Sequence, residues 1–215
     1  MPIFAKIFQH MKTVLELSTS KAMDYFLQPS NYTTIAFPKY FNFNKIIDFV
    51  KTKIGRKDFS MCLKDVKKFP SDYDKVSYHL LMNKDGRYAY RPLQLVNPYL
   101  YYFLVREITK APNWKFLKKR FKEFENENCE VVSIPLVKDA KDKSMIATTI
   151  KSWWEHIEQR SIELSLEYKY LFVTDITNCY GAIYTHSISW ALYGMLYAKE
   201  HREEKNLGKS IDPYI

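Results

Sequence analysis

An apolar run that ends on a carboxylate, Tyr170–Asp175, constrains the fold of this chain most strongly. Leu171, Phe172 and Val173 are apolar in succession, which predicts a buried β-strand. A buried strand that ends on an aspartate offers a rigid oxygen ligand for a hard cation such as Mg²⁺. Tyr180, five positions after Asp175, could form the floor of a pocket for a sugar. Together these residues indicate a nucleotidyl-transfer site. An ordinary strand-end aspartate that starts a turn or caps a helix is the alternative.

The chain is basic, with 33 Lys and Arg against 24 Asp and Glu in 215 residues and a net charge of +9. A positive excess of this size favours nucleic acid as the partner, because clustered cations gain affinity by releasing condensed counterions. An anionic membrane surface is the alternative, although no apolar run is long enough to span a bilayer. We therefore expect a nucleic-acid partner and no membrane.

The cysteines and glycines argue against several classes of site. Cys62, Cys129 and Cys179 are odd in number and lie far apart, which disfavours a disulfide framework or a zinc site. Few, widely spaced cysteines fit a protein of the reducing cytoplasm. The N-terminus shows no signal-peptide core or small-residue cleavage site, so we expect a cytoplasmic protein. With only five glycines, a glycine-rich phosphate loop is also excluded.

The apolar patterning predicts an α+β fold, rich in helices with short antiparallel strands. Two apolar and aromatic runs flank Asn83-Lys-Asp-Gly86, which predicts a hairpin near 78–96, because Asp-Gly accommodates the positive φ of a tight turn. Helices are predicted at Lys6–Asp24, Lys45–Lys53, Pro98 to before Pro112, Lys115–Lys122 and Ser144–Ile162, with a loop between Pro29 and Pro38 and a short strand at Val131–Val137.

A further helix is predicted beyond Asp175, capped by Thr185 or Ser187. Its last turn becomes charged over Lys199–Lys205. We expect His186, at the start of this helix, to cap or pack rather than to bind a metal. The predicted buried face consists of Ile188, Ala191, Leu192, Met195 and Leu196.

The hairpin carries three cations, Lys84, Arg87 and Arg91. On adjacent strands of a projecting hairpin they could converge on a triphosphate, with Arg91 offering a bidentate fork. Tyr90 and neighbouring tyrosines interleave with these cations, a pattern that suits binding of a nucleic-acid strand by stacking and phosphate contacts. A solvated cationic hairpin, with several of the tyrosines in the core, is the alternative.

A second group of cations, Lys115, Lys118, Lys119 and Arg120, falls on a predicted basic helix. These residues could contact nucleic acid through phosphates. A solvated helix face is the alternative.

The segment Val173–Leu192, with Asp175, Tyr180 and the run Tyr184-Thr-His-Ser-Ile-x-Trp190, resembles motif A of reverse transcriptases. The run after Tyr184 is similar to the bacterial abortive-infection and defence-associated branch of that family. Upstream, Gly86–Tyr101 resembles the fingers hairpin and the following helix of the same branch. The resemblance extends from about Tyr78 to the C-terminus.

The resemblance implies a role for several residues. Asp175 matches the first metal-binding aspartate of the palm, and Ile176 would offer its backbone carbonyl to the same metal, Mg²⁺ or alternatively Mn²⁺. Tyr180 matches the steric-gate aromatic, which lies under the sugar and disfavours a 2′-hydroxyl. Arg91 matches the fingers arginine that contacts the triphosphate of the incoming nucleotide, and Lys84 falls where a second phosphate-binding lysine is expected.

The sequence departs from the family pattern after Asp175. No Tyr-x-Asp-Asp turn follows, and the later acidic residues are Glu200, Glu203, Glu204 and Asp212. The expectation is therefore a piece of a longer polymerase, with fingers over 1–165, the start of the palm over 166–215, and the remaining palm and thumb absent. We expect no polymerisation from this chain alone.

The resemblance implies a reverse transcriptase of antiphage defence that transfers dNTPs with Mg²⁺, with or without a template. Its partners would be an RNA template or non-coding RNA and a DNA product. The alternative is a non-catalytic module, derived from a reverse transcriptase, that binds nucleic acid or assembles with a partner. The sequence leaves open whether the protein forms a homo-oligomer.

Overall fold

The computed structural model is a helix-rich α+β arrangement in which two antiparallel strands form a small sheet, as the sequence predicts. It describes residues 12–33, 35, 37–38, 40–62, 77–83, 86–87, 89–125, 131, 133–137, 154, 157–176 and 179–215. Most of the helix predicted at Ser144–Ile162 lies outside these residues. Among the described helices, none combines the length and the apolar character that a bilayer crossing requires.

Helices dominate the described part of the chain, and the two strands lie near its middle. In chain order the elements are α1 Thr19–Phe26, α2 Pro29–Tyr32, α3 Phe43–Ile54, α4 Phe59–Cys62, β1 Tyr78–Asn83, β2 Tyr90–Leu95, α5 Pro98–Ile108, α6 Ala111–Glu123, α7 at 157–165, α8 Cys179–Ala182, α9 His186–Tyr193, α10 Met195–Glu200 and α11 Leu207–Ile211. Single 3-10 turns occur at Val14–Glu16 and Asp212–Tyr214. The predicted loop between Pro29 and Pro38 begins with the short helix α2.

The single helix predicted at Lys6–Asp24 is wrong where it is described, because the chain contains two helix-start signals close together. The backbone N–H of Thr13 donates to Glu16 Oε1 at 2.7 Å, and the side chain of Ser18 accepts from the N–H of Lys21 at the start of α1. The 3-10 turn and α1 are therefore separate elements.

Among the described residues of the strand predicted at Val131–Val137, the pairing consists of one isolated bridge, between Thr13 and Leu136. The N–H of Val14 donates to the Pro135 carbonyl at 2.9 Å, and the N–H of Val137 donates to the Lys12 carbonyl at 2.7 Å. Pro135 has no N–H to extend the ladder, so the pairing stops there.

The central core lies where α3 packs on α5. Val50 and Ile54 on α3 are the largest fully buried side chains among the described residues, and Phe103 on α5 belongs to the same cluster. The predicted helices at these positions are confirmed. Asn97 caps α5 by accepting from the N–H of Tyr99, and Pro98 occupies its first turn, where a missing N–H has no cost.

A buried tyrosine, Tyr32, and a partly buried one, Tyr101, attach the hairpin and α5 to α1 and α2. The Tyr32 hydroxyl donates to the carbonyl of Val96, which directly follows β2, and the Tyr101 hydroxyl donates to the Phe26 carbonyl at 2.5 Å. The two rings meet edge to face with centroids 5.0 Å apart. Burial raises the pKa of Tyr32 to about 12, and it raises the pKa of Tyr101 as well.

We expect the protein to lose stability between pH 10 and pH 12. Both pKa values are raised in the folded state, so the unfolded chain loses these protons first, near pH 10. The stability that the neutral hydroxyls contribute is complete below pH 10 and is lost as the pH rises toward the folded-state value. Urea unfolding at pH 8, 10 and 11 measures this decline.

Tyr32→Phe should make the alkaline decline shallower, because it removes one of the hydroxyls whose pKa burial raises. Tyr40→Phe is the matched control, since the Tyr40 side chain is exposed. Equal slopes of unfolding free energy against pH in wild type and Tyr32→Phe would contradict the explanation.

The predicted long buried face after Thr185 is wrong because Gly194 divides the helix. Gly194 has φ = 89°, a backbone conformation that favours glycine, and it ends α9. Leu192 on α9 is buried, whereas Met195 and Leu196 belong to α10 and are 48% and 71% exposed. Thr185 occupies the N-cap position of α9, but its side chain makes no capping hydrogen bond.

The C-terminal helices pack against the middle of the chain. Leu192, Leu207 and Ile211 form a cluster that contacts Leu104 on α5 and Phe116 on α6. The predicted boundary between residues 165 and 166 stays a prediction, but α9 and α11 share their apolar surface with helices of the first part.

Candidate functional site

The segment that leads into Asp175 is not a β-strand. Residues 170–176 have no regular secondary structure, and the apolar side chains of the run are exposed, with Phe172 at 88%. A strand needs a neighbour to satisfy its N–H and C=O groups, and in the described sheet β1 pairs only with β2. The prediction of a buried strand at this position is therefore wrong for the chain as described.

Asp175 is an exposed carboxylate with one oriented oxygen. Its Oδ1 accepts from the N–H of Ile176 at 2.8 Å, and its other oxygen has no hydrogen bond from the described residues. Carboxylate oxygens are the ligands that Mg²⁺ prefers. The residue thus has the chemistry expected of it, although it is not held by a strand.

The residues that the structure describes contain no group of three or more His, Cys, Asp or Glu side chains arranged to hold a metal ion. Asp175 and the carbonyl of Ile176 fit Mg²⁺ in the kind of atom they present, but they are too few to hold it alone. Further ligands would have to come from elsewhere.

Tyr180 lies in the short helix α8, five positions beyond Asp175. Its side chain lies outside the described parts of the structure, so its role as a steric gate stays a prediction. Cys179, next to it, is a free and exposed thiol.

The hairpin forms as predicted. Tyr78 pairs with Leu95 at one end and Asn83 with Tyr90 at the other. Gly86 has φ = 75°, and its N–H donates to the Asn83 side chain at 2.7 Å, which closes the turn.

Arg87, Tyr90 and Arg91 are all exposed on this hairpin, whereas Lys84 lies outside the described residues. Arg91 stands opposite Met82 in the register. Among the described elements, no extensive packing joins the hairpin to α8, so convergence of these cations with Asp175 and Tyr180 stays a prediction.

The cations on α6 have different surroundings. Lys115 is exposed, Lys118 approaches the Leu17 carbonyl at 3.5 Å, and Lys119 pairs with Glu123 at 3.4 Å. Arg120 binds Glu123, donates to the Ala191 carbonyl at 3.0 Å and lies 4.5 Å from the centre of the Phe124 ring. The hydrogen bond from Arg120 lowers the pKa of Glu123. Arg120 thus joins α6 to α9, and the nucleic-acid role of this group stays a prediction.

A cleft of about 580 Å³, which the sequence reasoning missed, lies between α9, α10 and α11. Tyr184 and Trp190 provide its aromatic rings, and Lys199, Arg202 and Lys209 provide its cations. Aromatic and basic residues alternate over 184–209, and this pattern was the sequence signal for the cleft. By itself the pattern is typical of one amphipathic helix, because the break at Gly194 is visible only in the structure.

Two glycines give the cleft its shape. Gly194 turns α10 away from α9. Gly208 lets α11 approach α9 closely, because a Cβ at this position would lie 2.1 Å from Ser189 Oγ and 2.8 Å from Ser189 Cα. His186 Nδ1 lies 3.4 Å from Asp212 Oδ2 at the edge of the cleft. The expectation that His186 caps or packs rather than binds a metal stays a prediction.

No protein-family model matches this chain, and no curated protein sequence is significantly similar to it.

Proposed function

We propose that this chain carries part of the nucleotidyl-transfer site of a bacterial reverse transcriptase of antiphage defence. The observation that carries the proposal is Asp175, an exposed carboxylate at the end of an apolar run, followed after five positions by Tyr180 on a helix. These residues stand in the motif-A-like order of Val173–Leu192. The exposed cationic hairpin supports the same interpretation.

Each proposed role uses a chemical property of its residue. Asp175 and the Ile176 carbonyl would hold Mg²⁺, which, when bound, neutralises charge on the triphosphate and activates the attacking 3′-hydroxyl. Arg91, with Arg87 and Lys84 nearby in sequence, would bind phosphate oxygens. Tyr180 would lie against the sugar and select dNTPs over ribonucleotides.

A non-catalytic module that binds nucleic acid is the second candidate. In favour of this candidate, Asp175 is the one carboxylate at the proposed metal site among the described residues, and a single carboxylate is too few to hold the metal. The net charge of +9 favours nucleic-acid binding, which both candidates require, so it does not distinguish them. Activity, and not binding, therefore separates them.

The test is incorporation of radiolabelled dNTPs by the full-length protein, with Mg²⁺ or with EDTA, on RNA, on DNA and without added template. The proposal expects incorporation that needs the metal. Filter binding of RNA in the same preparation provides the control for folding. RNA binding without incorporation under any condition would reject the enzyme and leave the binding module.

A further inference from the structure

The cleft between α9, α10 and α11 combines an exposed aromatic ring with cations that no described carboxylate neutralises. Arg202 and Lys209 line the cleft, and neither forms an ion pair with a carboxylate in the described part of the chain. The Lys199 ammonium lies 5.8 Å from the centre of the Trp190 ring. Asp212, the carboxylate that lines the cleft, faces His186. The lining therefore has a positive excess that an anionic ligand would neutralise.

The exposed ring of Tyr184 offers a face in this cleft on which a flat ring can stack. Its side chain is 58% exposed, and its ring is supported by His186 at 4.8 Å and by Trp190 at 5.8 Å between centroids. An aromatic ring fixed by neighbouring rings loses little conformational freedom when a base stacks on it. The cleft volume of about 580 Å³ is within the range of small-ligand sites.

We infer that this cleft binds a phosphorylated nucleotide unit, with the base stacked on Tyr184 and the phosphate held by Arg202 and Lys209. The ligand is a free mononucleotide or one nucleotide of a single strand, since both present a base and a phosphate. A base supplies the flat face and a phosphate supplies the charge, so one nucleotide satisfies both features of the lining. Asp175 does not line the cleft, so binding here does not depend on nucleotidyl transfer.

The experiment measures binding of fluorescein-labelled oligo(dT) to the whole chain by anisotropy, at several salt concentrations. Arg202→Gln/Lys209→Gln should weaken binding about tenfold or more. It should also make the slope of log affinity against log salt shallower by about 0.7, from the loss of one neutralised phosphate on a single strand. Lys45→Gln/Lys205→Gln is the matched control, because it removes the same charge from exposed lysines that do not line the cleft.

Stacking is tested separately from charge. Tyr184→Ala should weaken binding about tenfold, whereas Tyr184→Phe, which keeps the ring, should stay within about twofold of wild type. Circular dichroism of each variant confirms that the helices remain folded.

Competition distinguishes the two sources of the ligand. Displacement of the oligonucleotide by dTMP assigns the cleft to a mononucleotide, and failure of dTMP to compete assigns it to a strand. Equal loss of affinity in the two charge variants, or no binding of either probe, would overturn the inference. Binding of phosphotyrosine alone would overturn it too, because the cleft would then be a phosphopeptide site.

Discussion

Replacing Trp114 with alanine is expected to lower the free energy of unfolding by about 3–5 kcal/mol. Trp114 on α6 is 3% exposed and packs with Leu17, Ala22 and Tyr25, where α6 meets α1 and the 3-10 turn. Its Nε1 donates to the Leu17 carbonyl at 2.9 Å, and its ring meets Phe26 edge to face. Alanine would leave a cavity and remove the indole donor from a buried carbonyl. Urea unfolding followed by far-UV circular dichroism measures the change.

Trp154→Ala is the control for this prediction, because the Trp154 side chain is 59% exposed. Its expected cost is within about 1 kcal/mol. Trp114→Phe should fall between the two, since phenylalanine keeps most of the packing but not the hydrogen bond. Equal destabilisation by Trp114→Ala and Trp154→Ala would contradict the assignment of Trp114 to the core.

Asp175→Asn is expected to reduce dNTP incorporation by the full-length protein by about 10²–10⁴-fold. A reduction of this size follows if loss of the metal removes several kcal/mol of stabilisation of the charged transition state. The substitution keeps the size of the side chain and an oxygen that can accept from Ile176, but it removes the charge that would hold Mg²⁺. Because Asp175 is exposed, the fold should be unaffected. Initial rates at saturating dNTP measure the effect.

Glu167→Gln is the matched control for the loss of a carboxylate, since Glu167 is exposed and lies eight residues before Asp175. Its rate should stay within about twofold of wild type, as expected for a surface substitution away from the site. A similar loss in both variants would show that net charge, and not Asp175 itself, supports incorporation.

The sequence predicts the local elements well where one signal dominates. The turn signal at Asn83–Gly86 predicts where the hairpin lies, although the observed register pairs Asn83 with Tyr90 and leaves residues 84–89 between the strands. Apolar spacing predicts α3 and α5, whose caps, Asn42 and Asn97, act as sequence rules expect.

The predictions fail where tertiary partners decide the structure. The run Leu171–Val173 has the composition of a buried strand, yet no described strand pairs with it and its side chains remain exposed. A pattern of apolar residues identifies what a segment can bury, but not whether a neighbour is present. Gly194 is the opposite case, since a single residue in a left-handed conformation ends α9 within an apolar pattern that would otherwise continue.

The candidate site was predictable in its residue types but not in its arrangement. Arg91 and Asp175 are exposed, and their proposed roles stay predictions. The contact of Arg120 with Ala191 could not be foreseen, because it depends on how α9 lies against α6. The cleft between α9, α10 and α11 was missed for the same reason, because Tyr184 and Lys209 line it together and Gly208 packs closely on Ser189.

The most direct test of the central claim is iron-mediated cleavage of the backbone in the full-length protein. Fe²⁺ can take the place of Mg²⁺ at an oxygen-ligand site and, with ascorbate and peroxide, cuts the chain beside a bound ion. Mass spectrometry locates the cut. If Asp175 holds the catalytic metal, the cut falls within residues 173–177, is suppressed by excess Mg²⁺ and is lost in Asp175→Asn. A cut elsewhere, or one that Asp175→Asn leaves unchanged, would contradict the claim.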